Sequence, residues 1–572
     1  MNVARQEQFY RRMFALAAFL LMFTAVAVGH LAYVQLRLPQ LVPEDYRGTE
    51  DFEPKRGSIY DSHGYLLAVS TSVYDIGAVP AQIDDEEVLA DRLASQLGEP
   101  RSEILAKLQE DVPYVPLKRG VSREVAQTIQ GWGEPGLQAE SRALRVYPHS
   151  SLGVAVLGFV NEEQEASHGV EARYDSELGG TRGFRVAARD AVGSLIYRFY
   201  PPQHGVDLHL TLDRNIQYVV EEALAKGVAR TGAGRGLVIV MEPKTGAILA
   251  MAVYPTYDPN TRDVTDAGLF VNSAVSATYE PGSVFKVFTI ASALDAGTIT
   301  PSSTYYDQGQ IEVGGRTIRN SDGQAYGQTS IPDLLAYSLN VGSATVSTKM
   351  GAYKFYEYVR RFGFGQLSGV DLAQETAGWV RAPGNPEWHE SDLGTNSFGQ
   401  GLATTPLQVI SAISAVANDG ALMRPYMVAR IVDGTQVTET VPRVLRQVVS
   451  PEAAAETTKM LARAVESVAA VRNTVGISGY SIAGKSGTSQ VYAPSGGYDP
   501  NETIASFAGY APADDPRFAI LVVLDRPQKE QWGTQAAGPV FREIALQLLT
   551  LLGVPPDSER LSSARLSGSG TR

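Results

Sequence analysis

The sequence predicts an α+β protein with a single N-terminal transmembrane helix ahead of two folded regions. Three observations predict this: one uncharged apolar stretch near the N-terminus, a mixed and turn-rich stretch after it, and apolar strand patterns at both ends of a long helix-rich segment. A chain of 572 residues exceeds one ordinary hydrophobic core. We therefore expect folded regions at 36–205 and 206–553, and a disordered polar tail at 554–572.

The apolar stretch "MFALAAFLLMFTAVAVGHLAYV" directly follows Arg11 and Arg12. As a helix it would be roughly 33 Å long, enough for a hydrocarbon core of about 30 Å. We expect residues 13–35 to span the membrane, with residues 1–12 in the cytoplasm and the rest exported, because basic residues favour the cytoplasmic side. The alternative is a cleaved signal peptide, since "AVA" at 25–27 is typical of a cleavage site.

The same stretch carries small residues that would let a second membrane helix pack closely. The alternative is that alanine is simply common in membrane spans. The small residues are Ala15, Ala18, Ala25 and Gly29.

Composition argues against several classes of function. The net charge is -13, and no cluster of Lys and Arg is present to bind nucleic acid. The chain has no cysteine, and its seven histidines lack the spacing of metal ligands. We expect neither a metal nor another cofactor, and no nucleic-acid partner.

For the region 36–205 the sequence predicts an extended, non-catalytic α+β unit. The stretch "PKRGSIYDSHGYLLAVS" predicts two strands around the turn "DSHG". A helix is predicted at 84–98, which opens with acidic residues and stops at Gly98, and a second at 100–111.

The region 206–553 opens with a strand and an amphipathic helix at 205–229. Two apolar strands around "PKTG" predict a hairpin at 236–255, and a similar pair lies at 507–527, followed by a closing helix at 537–553. Strands at both ends with helices between them indicate one sheet assembled from remote segments and covered by helices.

The stretch "EPGSVFKVF" places a serine and a lysine three residues apart at a predicted helix start. Residues at i and i+3 share a helix face, so Ser283 and Lys286 can meet. An amine that is buried near positive charge, at the positive end of a helix, loses affinity for its proton and can activate a hydroxyl. The alternative is an N-cap serine beside a surface lysine.

Two further short motifs follow along the chain. "AYSLNVGSA" contains Ser338 and Asn340, which a short loop would expose to one cleft. "AGKSGTSQV" leads into a strand, and its glycine would leave room for a substrate backbone to lie alongside as an added strand. This second motif contributes Lys485, Ser486, Gly487 and Thr488.

In order and separation these motifs resemble the SxxK, SxN and K(S/T)G set of the penicillin-recognising acyltransferases. The chain as a whole, from its apolar N-terminal stretch to about residue 553, resembles a class B penicillin-binding protein, a monofunctional peptidoglycan D,D-transpeptidase. "RGSIYDSHGYLLA", "RVYPHSSLGVAVLGFVNEEQEASHGVEARYDSELGG" and "NSFGQGLATTPLQVISAISAVANDG" carry the likeness outside the motifs. The resemblance implies a pedestal domain at 36–205 and, at 206–553, a transpeptidase domain whose antiparallel sheet is joined by an all-helical subdomain.

The resemblance also implies roles for the motif residues. Ser283 would be the acylated nucleophile and Lys286 its base, with Ser338 and Asn340 assisting proton transfer and holding the substrate amide. Lys485 would add positive potential, and Thr488, beside Ser486 and Gly487, would hold the terminal carboxylate of the substrate. The backbone amides of Ser283 and Thr488 would form the oxyanion hole.

The substrates implied are peptidoglycan stem peptides ending in D-Ala-D-Ala, with β-lactams as covalent inhibitors. "SFGQG" followed by "TPLQ" favours the division-type (FtsI-like) branch over the elongation type. Either branch implies a membrane partner, a SEDS-family glycosyltransferase (FtsW-like), together with other divisome proteins. A D,D-carboxypeptidase and a β-lactam sensor or scaffold for wall enzymes remain alternatives. A β-lactamase is disfavoured because no E-x-x-L-N segment stands at a suitable position.

Overall fold

The computed structural model describes residues 3–37, 50–161, 163–189, 195–261, 266–492 and 496–568. The elements up to residue 200 are, in chain order, α1 (Val3–Arg37), β1 (Glu50–Phe52), β2 (Ile59–Tyr60), β3 (Leu66–Ala78), α2 (Glu86–Leu97), α3 (Arg101–Leu108), β4 (Val115–Val121), α4 (Arg123–Gln130), β5 (Leu137–Val146), α5 (Val154–Leu157), β6 (Phe159–Val160), β7 (Ala166–Ser167), α6 (Gly169–Arg173), α7 (Asp175–Gly179), β8 (Gly183–Arg189) and β9 (Leu195–Tyr200).

The larger C-terminal part alternates short sheets with groups of helices. Its elements are β10 (Asp207–Leu210), α8 (Arg214–Thr231), β11 (Arg235–Met241), β12 (Ile248–Tyr254), α9 (Ser273–Ser276), α10 (Lys286–Asp295), β13 (Thr304–Asp307), β14 (Gln310–Val313), β15 (Arg316–Arg319), β16 (Gly327–Ser330), α11 (Ile331–Tyr337), α12 (Asn340–Met350), α13 (Ala352–Arg361), α14 (Glu390–Asn396), α15 (Pro406–Ala417), β17 (Ala421–Met423), β18 (Val428–Asp433), β19 (Gln436–Glu439), β20 (Val444–Gln447), α16 (Pro451–Ser467), α17 (Ala469–Val475), β21 (Ala483–Tyr492), β22 (Tyr498–Ala511), β23 (Phe518–Asp525), α18 (Gly533–Ala536), α19 (Gly538–Leu551) and α20 (Asp557–Gly568).

The described residues group into two compact units. One comprises those within 1–55 and 180–205, and it contains α1 and a three-stranded sheet in the order β1-β8-β9. Within α1, the segment Arg11–Tyr33 is long and apolar enough to cross a membrane, which fits a single-pass anchor. The other unit comprises the residues within 56–179 and 206–572.

A five-stranded sheet forms the centre of the second unit, in the order β12-β11-β23-β22-β21, and every neighbouring pair is antiparallel. Side chains alternate along a strand, so β11 buries Val238 on one face of the sheet and Ile239 on the other. Helices α8 and α19 share a hydrophobic cluster with the first face, and α10, α15 and α16 share one with the second. The predicted sheet of remote segments, covered by helices, is confirmed.

A seven-stranded sheet in the same unit joins strands from both sides of residue 205, the predicted boundary between the two regions. Its path is β19-β18-β10-β2-β3-β4, with β5 paired to β3. Strand β10 runs parallel to β2 and antiparallel to β18, so residues 207–210 pair with 59–60 and with 428–432. The division of the chain at residue 205 stays a prediction.

The predicted turn "DSHG" lies between β2 and β3, where the Asp61 carboxylate accepts hydrogen bonds from the backbone N–H groups of His63 and Tyr65. The predicted helix at 84–98 is α2. Asp85 caps its N-terminus, and Gly98 ends it in the left-handed conformation. These local signals are sufficient to predict the turn and the ends of α2, because each depends only on neighbouring residues.

The prediction of a disordered tail at 554–572 is wrong for part of this range, because Asp557–Gly568 forms α20. The Asp557 carboxylate accepts a hydrogen bond from Ser481 N at 2.7 Å, and Arg560 pairs with Asp514 at 2.7 Å. Both partners are far away in sequence, so the polar composition of the tail gives no sign of them. Residues 569–572 lie outside the described residues.

Candidate active site

Ser283 lies in a tight turn that leads into the buried helix α10. Residues Gly282–Phe285 form a 3-10 turn, and α10 begins at Lys286, so the serine precedes the α-helix rather than opening it. Side chains at i and i+3 are eclipsed in a 3-10 turn, which places Lys286 directly beside Ser283. Gly282 has φ +57, and a Cβ there would lie 2.6 Å from the carbonyl oxygen of Thr488, so both backbone angle and space require glycine.

The Lys286 side chain is completely buried, and within the described part of the chain its hydrogen bonds go to oxygen atoms of the motif residues. Its Nζ lies 3.0 Å from Ser283 Oγ, 3.1 Å from Ser338 Oγ, 2.5 Å from the Ser338 carbonyl oxygen and 2.8 Å from Asn340 Oδ1. Burial, and secondarily the charge of Lys485, lower the pKa of Lys286 well below its ordinary value. A buried amine of this kind can take a proton from a hydroxyl.

Ser338 and Asn340 lie where one helix ends and the next begins. Ser338 caps the C-terminus of α11 with φ +61, a left-handed conformation that a non-glycine residue adopts only when its surroundings hold it. Asn340 is the first residue of α12. Its Nδ2 donates to the Arg319 carbonyl oxygen at 3.0 Å, while its Oδ1 accepts from Lys286, so the orientation of the amide is fixed.

The third motif lies on β21, the last strand in the order of the five-stranded sheet. The Lys485 side chain is buried, and its Nζ donates to the Ser486 carbonyl oxygen at 3.0 Å. Burial lowers the pKa of Lys485 to about 8. Ser486 and Thr488 are half-buried on the opposite side of the strand. Thr488 Oγ1 accepts a hydrogen bond from Gly533 N at 3.0 Å.

Gly487 has a different structural role from the one its sequence context predicts. A Cβ at this position would lie 2.4 Å from Ser506 Oγ, 2.7 Å from the Pro281 carbonyl oxygen and 3.0 Å from Val284 Cγ2. The space beside the glycine is therefore occupied by the turn that carries Ser283. Gly487 lets β21 approach this turn closely, and the prediction that it leaves room for a substrate strand does not hold.

The structure thus brings Ser283, Lys286, Ser338 and Asn340 into one hydrogen-bonded network. Lys485 is close enough for its charge to affect the pKa of Lys286. Thr488 lies against the turn of Ser283 through its backbone contact with Gly282.

Sequence reasoning missed a further contact beside the site. Glu280 Oε1 accepts hydrogen bonds from Gly401 N and from the Tyr498 hydroxyl, both at 2.9 Å. Burial raises the pKa of this carboxyl group. The carboxylate ties the segment before Ser283 to the start of β22. The sequence places Glu280 directly before Pro281 and the turn of Ser283, which marks it as a residue near the site. No local pattern connects Glu280 with Tyr498, which is 218 residues away.

Comparison with known families identifies two matching domains. The model of the penicillin-binding protein transpeptidase domain matches residues 236–546, and that of the penicillin-binding protein dimerisation domain matches residues 51–210. The chain belongs to the class B penicillin-binding proteins, the family of monofunctional peptidoglycan D,D-transpeptidases.

Individual relatives match along nearly the whole chain. Stage V sporulation protein D of Bacillus subtilis is 31% identical, with 97% of this chain and 87% of that protein covered. The probable peptidoglycan D,D-transpeptidase PbpC of Pseudomonas aeruginosa is also 31% identical, with 98% and 99% covered. The peptidoglycan D,D-transpeptidase FtsI homolog of Mesostigma viride is 28% identical, with 94% and 95% covered.

A solved structure shares the fold. Penicillin-binding protein 3 of Mycobacterium tuberculosis, complexed with aztreonam, superimposes with a TM-score of 0.70 at 27% identity, covering 89% of this chain and 98% of that one.

Proposed function

We propose that this protein cross-links peptidoglycan through an acyl-enzyme formed on Ser283. The observation that carries the proposal is the 3.0 Å contact between Ser283 Oγ and the buried Nζ of Lys286. An amine whose pKa is lowered by burial is neutral in a larger fraction of molecules at physiological pH. It can accept the serine proton as the hydroxyl attacks a carbonyl carbon.

In the first half-reaction, Ser283 Oγ attacks the carbonyl between the two D-alanines of a donor stem peptide, and Lys286 takes the serine proton. The backbone amides of Ser283 and Thr488 stabilise the oxyanion. Their proximity is supported by Gly282, whose Cβ position would lie 3.3 Å from Thr488 N. The tetrahedral intermediate collapses, the peptide C–N bond breaks, and the terminal D-alanine leaves with a proton relayed through Lys286 and Ser338.

In the second half-reaction, an amine of a neighbouring stem peptide attacks the ester carbonyl. Lys286 takes a proton from the amine, the C–O bond to Ser283 breaks, and Lys286 passes that proton to the departing serine oxygen. One N–H of Asn340 Nδ2 is bound to the Arg319 carbonyl, so the other N–H is the one that holds the donor amide.

Thr488 and Lys485 recognise the terminal carboxylate of the donor. The Thr488 hydroxyl accepts from Gly533 N, so its own hydrogen is available to donate to a carboxylate oxygen. The buried ammonium of Lys485 contributes positive potential in a site of low dielectric. β-Lactams carry a carboxylate near a strained amide, and we propose that they acylate the same serine. The related structure with aztreonam supports this proposal.

The most direct experiment incubates the purified protein with a synthetic stem peptide ending in D-Ala-D-Ala, with and without an acceptor amine. We expect release of D-alanine and a peptide–amine product by mass spectrometry. Release without an amine product would instead indicate a D,D-carboxypeptidase. Binding of penicillin without any turnover would favour a sensor or scaffold.

We further propose that the protein acts at the division septum as a single-pass membrane protein. Its N-terminus is cytoplasmic, its catalytic domain is extracytoplasmic, and a SEDS-family glycosyltransferase is its partner. The match to an FtsI homolog supports the division role, and the apolar segment Arg11–Tyr33 supports the anchor. Depletion in the source organism should give filaments, whereas swollen cells would indicate the elongation type. Exchange of Arg11–Tyr33 for an unrelated apolar helix should abolish co-purification with the glycosyltransferase and leave acylation intact.

A further inference from the structure

Asn320 is a buried residue that belongs to none of the three motifs and is connected to the site through the backbone next to Asn340. It directly follows β15, and only 4% of its surface is exposed. Its Nδ2 donates to Asp307 Oδ2 at 2.9 Å and to the Gln324 carbonyl oxygen at 3.0 Å. Its Oδ1 accepts from Val341 N at 3.1 Å. The donor end of the amide thus faces three oxygen acceptors, the two oxygens of the Asp307 carboxylate and the Gln324 carbonyl oxygen, and the acceptor end faces the start of α12.

The start of α12 needs this acceptor because its own capping residue cannot supply one. The first N–H groups of a helix have no partner within the helix, and a polar side chain at the N-cap usually provides it. Here the N-cap is Leu339, which makes no side-chain hydrogen bond. Asn320, from a separate segment, supplies the acceptor to the N–H of Val341, which is the residue immediately after Asn340.

The carbonyl group that precedes Asn320 in the chain holds the Asn340 side chain as well. Arg319 O accepts from Asn340 Nδ2 at 3.0 Å, and Asn340 Oδ1 in turn accepts from Lys286 Nζ at 2.8 Å. A short piece of chain therefore fixes both the backbone after Asn340 and the direction of its amide. A shift of this segment would turn the amide away from the lysine and from any substrate carbonyl.

We infer that Asn320, oriented by Asp307, is a positioning residue that holds Asn340 in the geometry required for acyl transfer. Asp307 is itself buried and is fixed by a hydrogen bond from Gly309 N at 2.7 Å. The pair therefore forms a rigid support rather than a surface contact. The inference rests on the proposed acylation of Ser283.

The first test is Asn320→Leu, which keeps the approximate side-chain volume and removes both the Oδ1 acceptor and the Nδ2 donor. Stopped-flow acylation by a fluorescent penicillin separates the acylation rate constant from the noncovalent dissociation constant. We expect the rate constant, normalised to the folded fraction, to fall about tenfold to a hundredfold with little change in the dissociation constant.

The matched control is Gln217→Leu. Gln217 is also a fully buried amide, and it bonds the backbone of Met251 on β12, the strand at the opposite edge of the sheet from β21. We expect this variant to lose stability while its folded fraction acylates at the wild-type rate. An unchanged rate constant in Asn320→Leu would overturn the inference.

The second test exchanges the two polar partners. Asn320→Asp places two carboxylates side by side and should slow acylation. The double variant Asn320→Asp with Asp307→Asn restores a donor–acceptor pair and an acceptor for Val341 N, but it leaves the Gln324 carbonyl without its donor. Acylation should therefore recover in part, by at least tenfold over Asn320→Asp, a factor that corresponds to about one lost hydrogen bond. A double variant as slow as Asn320→Asp would contradict the inference. Failure of the wild-type protein to acylate at Ser283 would overturn the proposed function itself.

Discussion

Lys286 Nζ lies 3.0 Å from Ser283 Oγ and within hydrogen-bond distance of three further oxygen atoms. An ammonium group has three hydrogens, so it cannot satisfy all four acceptors at once. A neutral amine can donate to the Ser338 carbonyl and to Asn340 Oδ1, while its lone pair accepts the hydroxyl hydrogen of Ser283. Either protonation state leaves one of the four oxygen atoms without a hydrogen bond to Nζ, and the lowered pKa of Lys286 favours the neutral amine.

The rate of acylation should fall at alkaline pH because Lys485 loses its charge. Its pKa is lowered to about 8, so the positive potential that we propose attracts the substrate carboxylate declines above that pH. We expect the rate of acylation by a carboxylate-bearing penicillin to fall above pH 8, at a macroscopic pKa shared by the two coupled lysines. In Lys485→Arg the charge persists, so the fall should move to higher pH. The same alkaline limb in both proteins would exclude Lys485 as its cause.

The burial of Lys485 should also lower the stability of the fold. Because its pKa is about 8 when folded and near 10.5 when unfolded, the unfolded chain binds more protons between these values. The free energy of unfolding of the wild type should therefore rise with pH across this window. At pH 7 Lys485→Met should be more stable by up to about 3 kcal/mol, since one pKa unit corresponds to about 1.4 kcal/mol.

Urea unfolding at pH 7 and pH 10.5 measures this difference, and the gain should shrink at the higher pH. The same variant should acylate more slowly. A gain that is absent at pH 7 or independent of pH would argue against a charge penalty at this position.

The contact between β21 and the Ser283 turn depends on Gly487. In Gly487→Ala the new methyl group would lie 2.7 Å from the Pro281 carbonyl oxygen, a backbone atom that cannot rotate away. We expect a loss of about 1–3 kcal/mol in stability and slower acylation of the folded fraction. Gly234→Ala is the control, because a Cβ there has no described atom within 4 Å. Wild-type acylation kinetics in Gly487→Ala would show that the close approach is unnecessary.

Thr488→Val should slow acylation by carboxylate-bearing β-lactams about tenfold to a hundredfold, as expected when a charged acceptor loses its hydrogen-bond donor. The same change leaves Gly533 N without its partner, so some loss of stability should accompany it. Thr488→Ser keeps the hydroxyl and serves as the control. If the valine and serine variants acylate equally fast, the hydroxyl has no part in carboxylate recognition.

Local patterns were enough to predict much of this molecule. The hairpin of β11 and β12, the caps of α2 and the turn at Asp61 each depend on residues within a few positions. The spacing of Ser283 and Lys286 predicts their contact because three residues make one turn of a 3-10 helix. The order of the three motifs then indicates the family.

Contacts between remote segments could not be predicted in this way. The bond between Glu280 and Tyr498 and the cap that Asn320 provides for α12 join residues with no common pattern. The role of Gly487 differs from its prediction for the same reason, since the atoms that require a glycine belong to Pro281, Val284 and Ser506. Helix α20 depends on partners more than 40 residues away.

The central claim is that Ser283 forms the covalent intermediate, and peptide mass mapping after labelling with a fluorescent penicillin tests it most directly. The account predicts one adduct, on the peptide that contains Ser283, and none in Ser283→Ala at an unchanged melting temperature. Ser292→Ala is the matched control. It removes a buried hydroxyl of α10 that bonds only the Phe288 carbonyl among the described residues, and it should label normally. An adduct on another serine, or labelling that survives in Ser283→Ala, would contradict the account.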